Sequence, residues 1–360
     1  MTETAAGVRV ALAPAAEAWA FVGADLPVQC IAVTEVTLRE GELLVEVELT
    51  TVSDGDLRTA FGHRAQLPHV LGHEQVGRIV AQGPGAPGAT YDGLPLTVGD
   101  RIVWGATVDC GECALCLEGL PQKCERPQRY GHERVRRGWE LSGGLATHVH
   151  LLARTTIVRA RDWIPAAVLA PASGATATAA AVIDAAEGIR PLAGETVLVS
   201  GCSVVGLTAI AMANERGARV VAVDPEPGRR DLARTFGATA AHPPGRAPGG
   251  FRVGLELSGE TDAVGSVVAS AGTGGVVIVT GGAADAPPVP VSADSLAERL
   301  VTIRGVDGYR PEHLVDAVRF LERADHDLLA GLVGATVAFA DAPRALDAPA
   351  AGATRIAVRP

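Results

Sequence analysis

Four cysteines fall within fifteen residues, spaced Cys110-x2-Cys113-x2-Cys116-x7-Cys124. Thiolates at such spacing close a tetrahedral zinc site, and an all-cysteine set leaves no position open for water or substrate. The group expected here is one structural zinc per chain on Cys110, Cys113, Cys116 and Cys124; four reduced thiols without metal are the alternative. Cysteines this concentrated do not form a disulfide framework spread over the chain, and they fit a reducing, cytoplasmic compartment. The other two, Cys30 and Cys202, read as packing residues. Cys202 has a second reading as a thiol activated by a helix N-terminus, which a bound pyrophosphate would oppose.

A second chemical signal is Gly201-Cys-Ser-Val-Val-Gly206, set between an apolar strand pattern and a helical one. In such a turn the first glycine permits a sharp bend, the last permits close helix packing, and the helix N-terminus attracts a pyrophosphate. Ser203 stands where a glycine is usual. Asp224 ends the next strand pattern, where a carboxylate accepts from a ribose 2′-hydroxyl and repels a 2′-phosphate. Arg229 and Arg230 lie close enough in sequence to offset part of that repulsion. The cofactor residues expected are Gly201, Ser203, Val204, Val205, Gly206, Asp224 and Arg229, with NAD(H) favoured over NADP(H).

The elements that position these groups follow from pattern. The chain of 360 residues, 48% hydrophobic and 20% charged, has room for two domains and a large core. Aromatics at 4%, beside 43 Gly and 23 Pro, predict a fold packed from small aliphatic residues with many turns. Apolar runs bounded by Gly and Pro, such as Leu43 to Val52 and Gln75 to Ala81, predict an antiparallel barrel-like domain over the first 150 residues. From Pro165 the pattern alternates: strands at Thr196 to Ser200, Val220 to Asp224, Val253 to Leu257, Val276 to Thr280 and Leu300 to Gly305, with helices at Leu207 to Arg216 and Arg229 to Phe236. That is a parallel, doubly wound α/β sheet. A helix at Glu312 to Arg323 and a strand at Thr354 to Val358 follow, and His242 to Gly250 reads as a loop.

The net charge of −10 gives no basic footprint for nucleic acid and no polybasic patch for membrane. Met1 to Leu12 carries no apolar run of signal-peptide length. Ile164 to Ile183 reaches membrane-spanning length, yet Pro165, Pro171 and Gly174 interrupt it, and it reads as a buried helical segment.

The order of Gly72-His73-Glu74 with Gly77, Val98-Gly-Asp-Arg101, the four-cysteine lobe, Gly143-Gly144 and the glycine turn resembles the zinc-type medium-chain dehydrogenases/reductases, the alcohol dehydrogenase superfamily. The resemblance spans nearly the whole chain. It implies a GroES-like β-barrel catalytic domain (1–164), a Rossmann doubly wound parallel sheet (165–307), a return to the catalytic domain (308–360), and an active site in the cleft between them. It also implies a homodimer or homotetramer. Gly62-His-Arg64, Tyr130-Gly-His-Glu133, Ala175-Thr-Ala-Thr178 and Arg229-Arg230 with Phe236-Gly-Ala-Thr239 resemble a branch of phosphonate-associated and aminocyclitol-pathway cyclitol dehydrogenases.

Against that family the metal-binding positions depart. The segment resembling C-x-[ST]-D-x-H reads Ser53-Asp-Gly-Asp-Leu-Arg58, so Ser53 stands at the cysteine, Gly55 at the relay hydroxyl and Arg58 at the distal relay histidine. The third ligand position falls on Gly174, and His73 alone remains. One imidazole and a hydroxyl do not hold zinc tightly. A shifted site on His73, Glu74 and Asp54 or Asp56 stays open, as does a purely structural role for His73 and Glu74 at a tight turn. Tyr130 and His132 are further candidate proton donors. The catalytic candidates are His73, Ser53 and Asp54.

The function expected is that of an NAD(P)H-dependent reductase without catalytic zinc, acting on the conjugated C=C of a small polar cyclic enone, a valienone-like cyclitol ketone. The alternatives are a cyclitol or alcohol dehydrogenase acting on carbonyl or alcohol, and an inactive nucleotide-binding protein.

Overall fold

The computed structural model of the chain describes residues 7–23, 26–53, 56, 67–281, 287–346 and 355–360. It divides into two compact units, one comprising residues 1–174 and 310–360 and the other Ala175–Tyr309.

The first unit is built on β-sheet. One sheet runs in the order Ile157–Arg159, Arg101–Trp104, Glu74–Gln82, Leu43–Val52, Arg355–Arg359, Val333–Ala338, with His148–Leu151 also paired to Leu43–Val52. Leu43–Val52 is buried at all but two of its ten positions, which its Leu- and Val-rich sequence requires. Its register sets Thr51 opposite Glu74 and Thr50 opposite Gln75, and Val52 opposite Ile356 on the other side. Gly77 is glycine because a Cβ there would strike the backbone carbonyl of Glu46 on the neighbouring strand. A second sheet of three strands joins Gln29–Leu38, Val8–Phe21 and His69–Val70. Two apolar clusters fill the unit. One lies around Phe21, Leu38 and Leu71, the other around Trp104, Tyr130 and Trp139.

The second unit is a six-stranded parallel sheet in the order Ala240–His242, Arg219–Val223, Thr196–Ser200, Phe251–Glu256, Ala271–Val279, Thr302–Gly305. Numbered along this unit the order is 3-2-1-4-5-6, the doubly wound arrangement whose switch point lies between the first and fourth strands. Helices Val204–Glu215, Pro227–Thr235 and Thr261–Ser270 connect the strands.

Two elements depart from the sequence pattern. The loop expected at His242 begins with the short strand Ala240–His242, and the helix Thr261–Ser270 fills a gap in the predicted series. Ile164 to Ile183 is broken into the short helix Ala166–Leu169, a 3-10 turn Ala170–Ser173 and the helix Ala175–Glu187, the last buried at ten of thirteen positions. Among the described residues no single helix is long and apolar enough to cross a membrane.

Candidate active site and metal lobe

In the lobe, all four sulfur atoms of Cys110, Cys113, Cys116 and Cys124 lie within 4.8 Å of one another. Cys113 Sγ is 3.4 Å from Cys116 Sγ and 4.0 Å from Cys124 Sγ. Zinc–sulfur bonds of about 2.3 Å at tetrahedral angles put sulfurs about 3.8 Å apart, so the residues fit that ion. Backbone N–H groups are aimed at the sulfurs: Cys113 donates to Cys110 Sγ (3.4 Å), and Cys110 and Arg126 donate to Cys124 Sγ (3.3 Å each). The Glu112 N–H draws the Cys110 thiol down to about 6, while desolvation pushes Cys116 up to about 12. A divalent cation removes that conflict by replacing the protons, since a coordinated thiol is deprotonated.

The glycine turn sits at the switch point of the parallel sheet. Gly201 has φ +92°, and a Cβ on it would meet the Ser258 nitrogen, which follows the fourth strand, at 2.7 Å. A Cβ on Gly206 would strike the Gly201 carbonyl, so only glycine lets the helix start this close to the strand end. Ser203 is the N-cap of the helix Val204–Glu215, and its side chain makes no cap bond. The Asp224 carboxylate is 2% exposed and accepts from the Cys202 N–H (2.8 Å) and the Glu226 N–H (2.9 Å). Arg230 is occupied with the Asp224 and Pro225 carbonyls at 2.8 and 2.6 Å, which leaves Arg229 as the member of the pair without a hydrogen bond among the described residues.

Of the two lone cysteines, Cys202 is buried, as a packing residue is, and Cys30 is not. Cys30 is exposed and so is no packing residue, while burial and then the Asp224 charge push the Cys202 thiol up to about 12, away from the reactive range.

The remaining candidates come together around His73 in the first unit. Ser53 and Asp56 form a closed turn: Asp56 Oδ2 accepts from the Ser53 hydroxyl (2.7 Å) and N–H (2.8 Å). Asp56 Oδ1 accepts from the Gly72 N–H (3.2 Å) and faces His73 Nδ1 at 3.0 Å. A carboxylate only accepts, so Nδ1 carries the proton and Nε2 is the free edge of the ring. Burial disfavours the imidazolium, but the Asp56 charge and hydrogen bond outweigh it and raise the His73 pKa above its ordinary 6.5. Asp56 is burdened by desolvation and yet held well below the usual carboxylate range by His73 and Ser53. The His73 carbonyl accepts from the Ser173 hydroxyl at 2.8 Å.

Glu74, next along the chain, turns the other way. Its Oε2 accepts from Thr51 Oγ1 and Arg355 Nε, each at 2.9 Å, and its Oε1 from an Arg355 terminal nitrogen at 3.3 Å. A Cβ on Gly174 would come within 2.6 Å of Glu74 Cγ and 2.9 Å of Cδ. The space a side chain at 174 would occupy is therefore filled by the Glu74 carboxylate. Among the described residues the four cysteines are the only group of three or more His, Cys, Asp or Glu side chains with convergent donor atoms. Asp54, Gly55, Arg58 and the Gly62-His-Arg64 motif lie outside the described residues.

Tyr130 does not join this cluster. Its buried hydroxyl accepts from the Leu152 N–H (2.9 Å) and shares a hydrogen bond with Thr155 Oγ1 (2.7 Å), and burial raises its pKa. His132 does join: its ring centroid is 5.2 Å from that of His73. Sequence reasoning missed Arg355, which lies 281 residues from its partner Glu74.

A doubly wound parallel sheet with a glycine turn at its switch point, on a chain that also carries an antiparallel domain with a four-thiol lobe, defines a dinucleotide-dependent oxidoreductase class. Residues 39–162 match the family described as alcohol dehydrogenase GroES-like domain, and residues 204–323 the family described as zinc-binding dehydrogenase. The chain is 31% identical over 295 residues to an L-threonine 3-dehydrogenase of Streptomyces coelicolor, covering 77% of this chain and 79% of that protein. It is 30% identical over 332 residues to a geraniol dehydrogenase of Castellaniella defragrans, covering 84% of each. An alcohol dehydrogenase structure from Thermotoga maritima superposes with a TM-score of 0.88 at 26% identity, over 98% of this chain and 100% of that one. A zinc-binding dehydrogenase of Sinorhizobium meliloti, solved with NADP, gives a TM-score of 0.83 at 22% identity, over 96% and 99%. The chain belongs to the zinc-type alcohol dehydrogenase family of medium-chain dehydrogenases/reductases and is an NAD(P)-dependent oxidoreductase.

The Glu74–Arg355 pair yields a stability test, because Glu74 and Arg355 are only 1% and 7% exposed at their side chains. Arg355→Met leaves a buried carboxylate without its cation and is expected to cost about 3 to 5 kcal/mol in urea denaturation. Adding Glu74→Gln should return most of that loss. A loss under about 1 kcal/mol in the single variant would show that the pair does not govern this part of the fold.

Proposed function

We propose that this oxidoreductase transfers hydride without a catalytic metal, and that its preferred reaction is NAD(P)H-dependent reduction of the conjugated C=C of a small polar cyclic enone. One observation carries the reading: the Glu74 carboxylate, held by Arg355, fills the space of the third ligand position at Gly174. The Ser53 hydroxyl, committed to Asp56, supports it from the opposite side. A single zinc on the four cysteines would then be the only metal of the chain, with a role in folding.

Without a Lewis acid, the chemistry turns on how much negative charge the substrate oxygen must bear. Reducing an isolated carbonyl makes an alkoxide, which metal ions stabilise in such reactions. Conjugate reduction makes an enolate, whose conjugate acid is several pK units stronger, at about 1.4 kcal/mol per unit. A well-placed donor is worth roughly 3 to 4 kcal/mol at an oxyanion, enough to serve in place of the metal.

The bound dinucleotide supplies the hydride. It goes to the carbon β to the carbonyl, the C=C π pair shifts towards the carbonyl, and the developing charge collects on the carbonyl oxygen. His73 Nε2–H donates to that oxygen, while Asp56 holds Nδ1 and compensates the positive charge. The resulting enol takes a proton at the α-carbon from solvent and gives its O–H proton back to His73, which leaves the saturated ketone and the protonated ring. Ser53 fixes Asp56, to which it donates its one O–H. A valienone-like cyclitol ketone is the substrate class supported by the branch resemblance.

Carbonyl–alcohol interconversion is the second reading, favoured by relatives that are L-threonine and geraniol dehydrogenases. NADH is the cofactor we favour over NADPH, because the Asp224 carboxylate ends the second strand and Arg230 is occupied elsewhere. The edge strand Thr302–Gly305, exposed at each of its four positions, beside Leu300 at 71% exposure, supports a homo-oligomer. The unpaired thiols support a cytoplasmic setting.

Cofactor preference is read by titrating NADH and NADPH against the wild type and Asp224→Ser. NADH should bind more tightly to the wild type, and the variant should narrow the preference about tenfold. An unchanged preference would remove Asp224 from the ribose site.

The reaction is read with a deuterated nicotinamide cofactor and a cyclic enone, locating the label by NMR. Deuterium is expected at the β-carbon, and His73→Ala should lower turnover by about 10² to 10³. Wild-type turnover should fall as pH rises through the raised His73 pKa, because the donor is the protonated ring. Deuterium on the carbonyl carbon would assign ordinary carbonyl reduction instead.

A further inference from the structure

His73 has a neighbour of the same kind. Gly72-His73 and Gly131-His132 are two Gly-His turns packed back to back. Gly72 has φ +97° and Gly131 φ +81°, and a Cβ on Gly131 would meet the Gly72 carbonyl oxygen at 2.7 Å. The turns are pinned by backbone bonds from Gly144 N–H to the Gly72 carbonyl (2.8 Å) and from Gly131 N–H to the Ser142 carbonyl (2.9 Å). Only glycine permits this approach, and its consequence is that the two imidazoles stand side by side, centroids 5.2 Å apart.

Each ring has its Nδ1 committed to a group that only accepts. His73 donates to Asp56 Oδ1, and His132 donates to its own turn, the Tyr130 carbonyl, at 3.0 Å. Both rings thus have Nε2 left over, and neither Nε2 has a hydrogen-bond partner among the described residues. The charges differ. Asp56 compensates an imidazolium at His73, whereas His132 has no carboxylate bonded to it and sits beside that positive charge. Burial, then His73, holds His132 down to about 4, with the Tyr130 carbonyl and Asp56 opposing and Arg129 adding to the effect. With Asp56 favouring the protonated ring at His73 and burial favouring the neutral ring at His132, the pair sets a donor, His73 Nε2–H, beside an acceptor, the His132 Nε2 lone pair.

We propose that His132 is a specificity-determining residue whose Nε2 accepts a hydrogen bond from a hydroxyl on the carbon next to the carbonyl that His73 addresses, so the substrate class is an α-hydroxy ketone or enone. This rests on the reading that His73 faces the substrate oxygen. Adjacent rings reach oxygens on adjacent carbons, and a donor beside an acceptor matches a carbonyl beside a hydroxyl. A ketone without that hydroxyl leaves the His132 lone pair without a protein or substrate donor, which is how a polar pocket rejects an analogue.

The test separates binding from turnover. The full-length, zinc-loaded protein saturated with NAD+ is titrated with 2-hydroxycyclohexanone and with cyclohexanone, with binding followed by ligand-observed NMR. The wild type should bind the hydroxylated ketone about tenfold more tightly. His132→Phe keeps a ring against His73 but removes the acceptor; it should bring the ratio close to one without weakening the binding of cyclohexanone. His132→Gln, which restores an acceptor, should recover part of the ratio. A wild-type ratio near one, a ratio unchanged in His132→Phe, or an equal loss of affinity for both ketones would overturn the proposal. Label found on the carbonyl carbon in the isotope experiment, with the binding ratio intact, would instead remove only the C=C assignment.

Discussion

The ion pair between Glu74 and Arg355 is the constraint on which the candidate site depends. Two charges this deeply buried are tolerated only as a pair with their remaining hydrogen-bond capacity met, and Thr51 supplies part of that. The pair is possible because the strand Arg355–Arg359 returns to lie beside Leu43–Val52, opposite the face that pairs with Glu74–Gln82. Closing the first unit and fixing Glu74 are therefore one event. With Glu74 fixed, a side chain at 174 would have to displace the Glu74 carboxylate.

A second pair joins the buried Asp56 to the part-buried His73, and the Asp56 charge and hydrogen bond favour the protonated ring. In this arrangement Asp56 has the orienting role that a carboxylate plays behind a metal-bound histidine. The stability contribution of His73 follows the same sign. Its folded pKa is raised above 6.5, so that contribution is fully present below pH 6.5 and is lost as pH rises through the raised value. Asp56 works in the opposite range: its contribution is present above the ordinary carboxylate pKa and is lost on acidification.

Much of this was legible in the sequence. The four cysteines and the glycine turn announce themselves because their chemistry is local: ligands within fifteen residues, and a bend between one strand and one helix. Thr196–Ser200 and Leu43–Val52 begin and end where their apolar runs do. Non-local terms were the ones that hid. The helix Thr261–Ser270 has four β-branched residues and a glycine among its ten and is held by packing rather than propensity. Val8–Phe21 is half exposed and Ala-rich, without the clean alternation that marks a strand. Gly174 could be seen as a missing ligand, but not as a glycine demanded by Glu74, because the cause lies a hundred residues upstream and is held by an arginine near the C-terminus. The pairing of His73 with His132 depends on two glycines backing onto each other, a contact no spacing rule reveals.

The most direct test of a site without catalytic metal is the zinc content of fully active protein, measured by mass spectrometry on a preparation whose active fraction is known. The account predicts about one zinc per chain, bound by the four cysteines. Two zinc ions per chain, with activity lost as the more weakly held ion is removed, would contradict it.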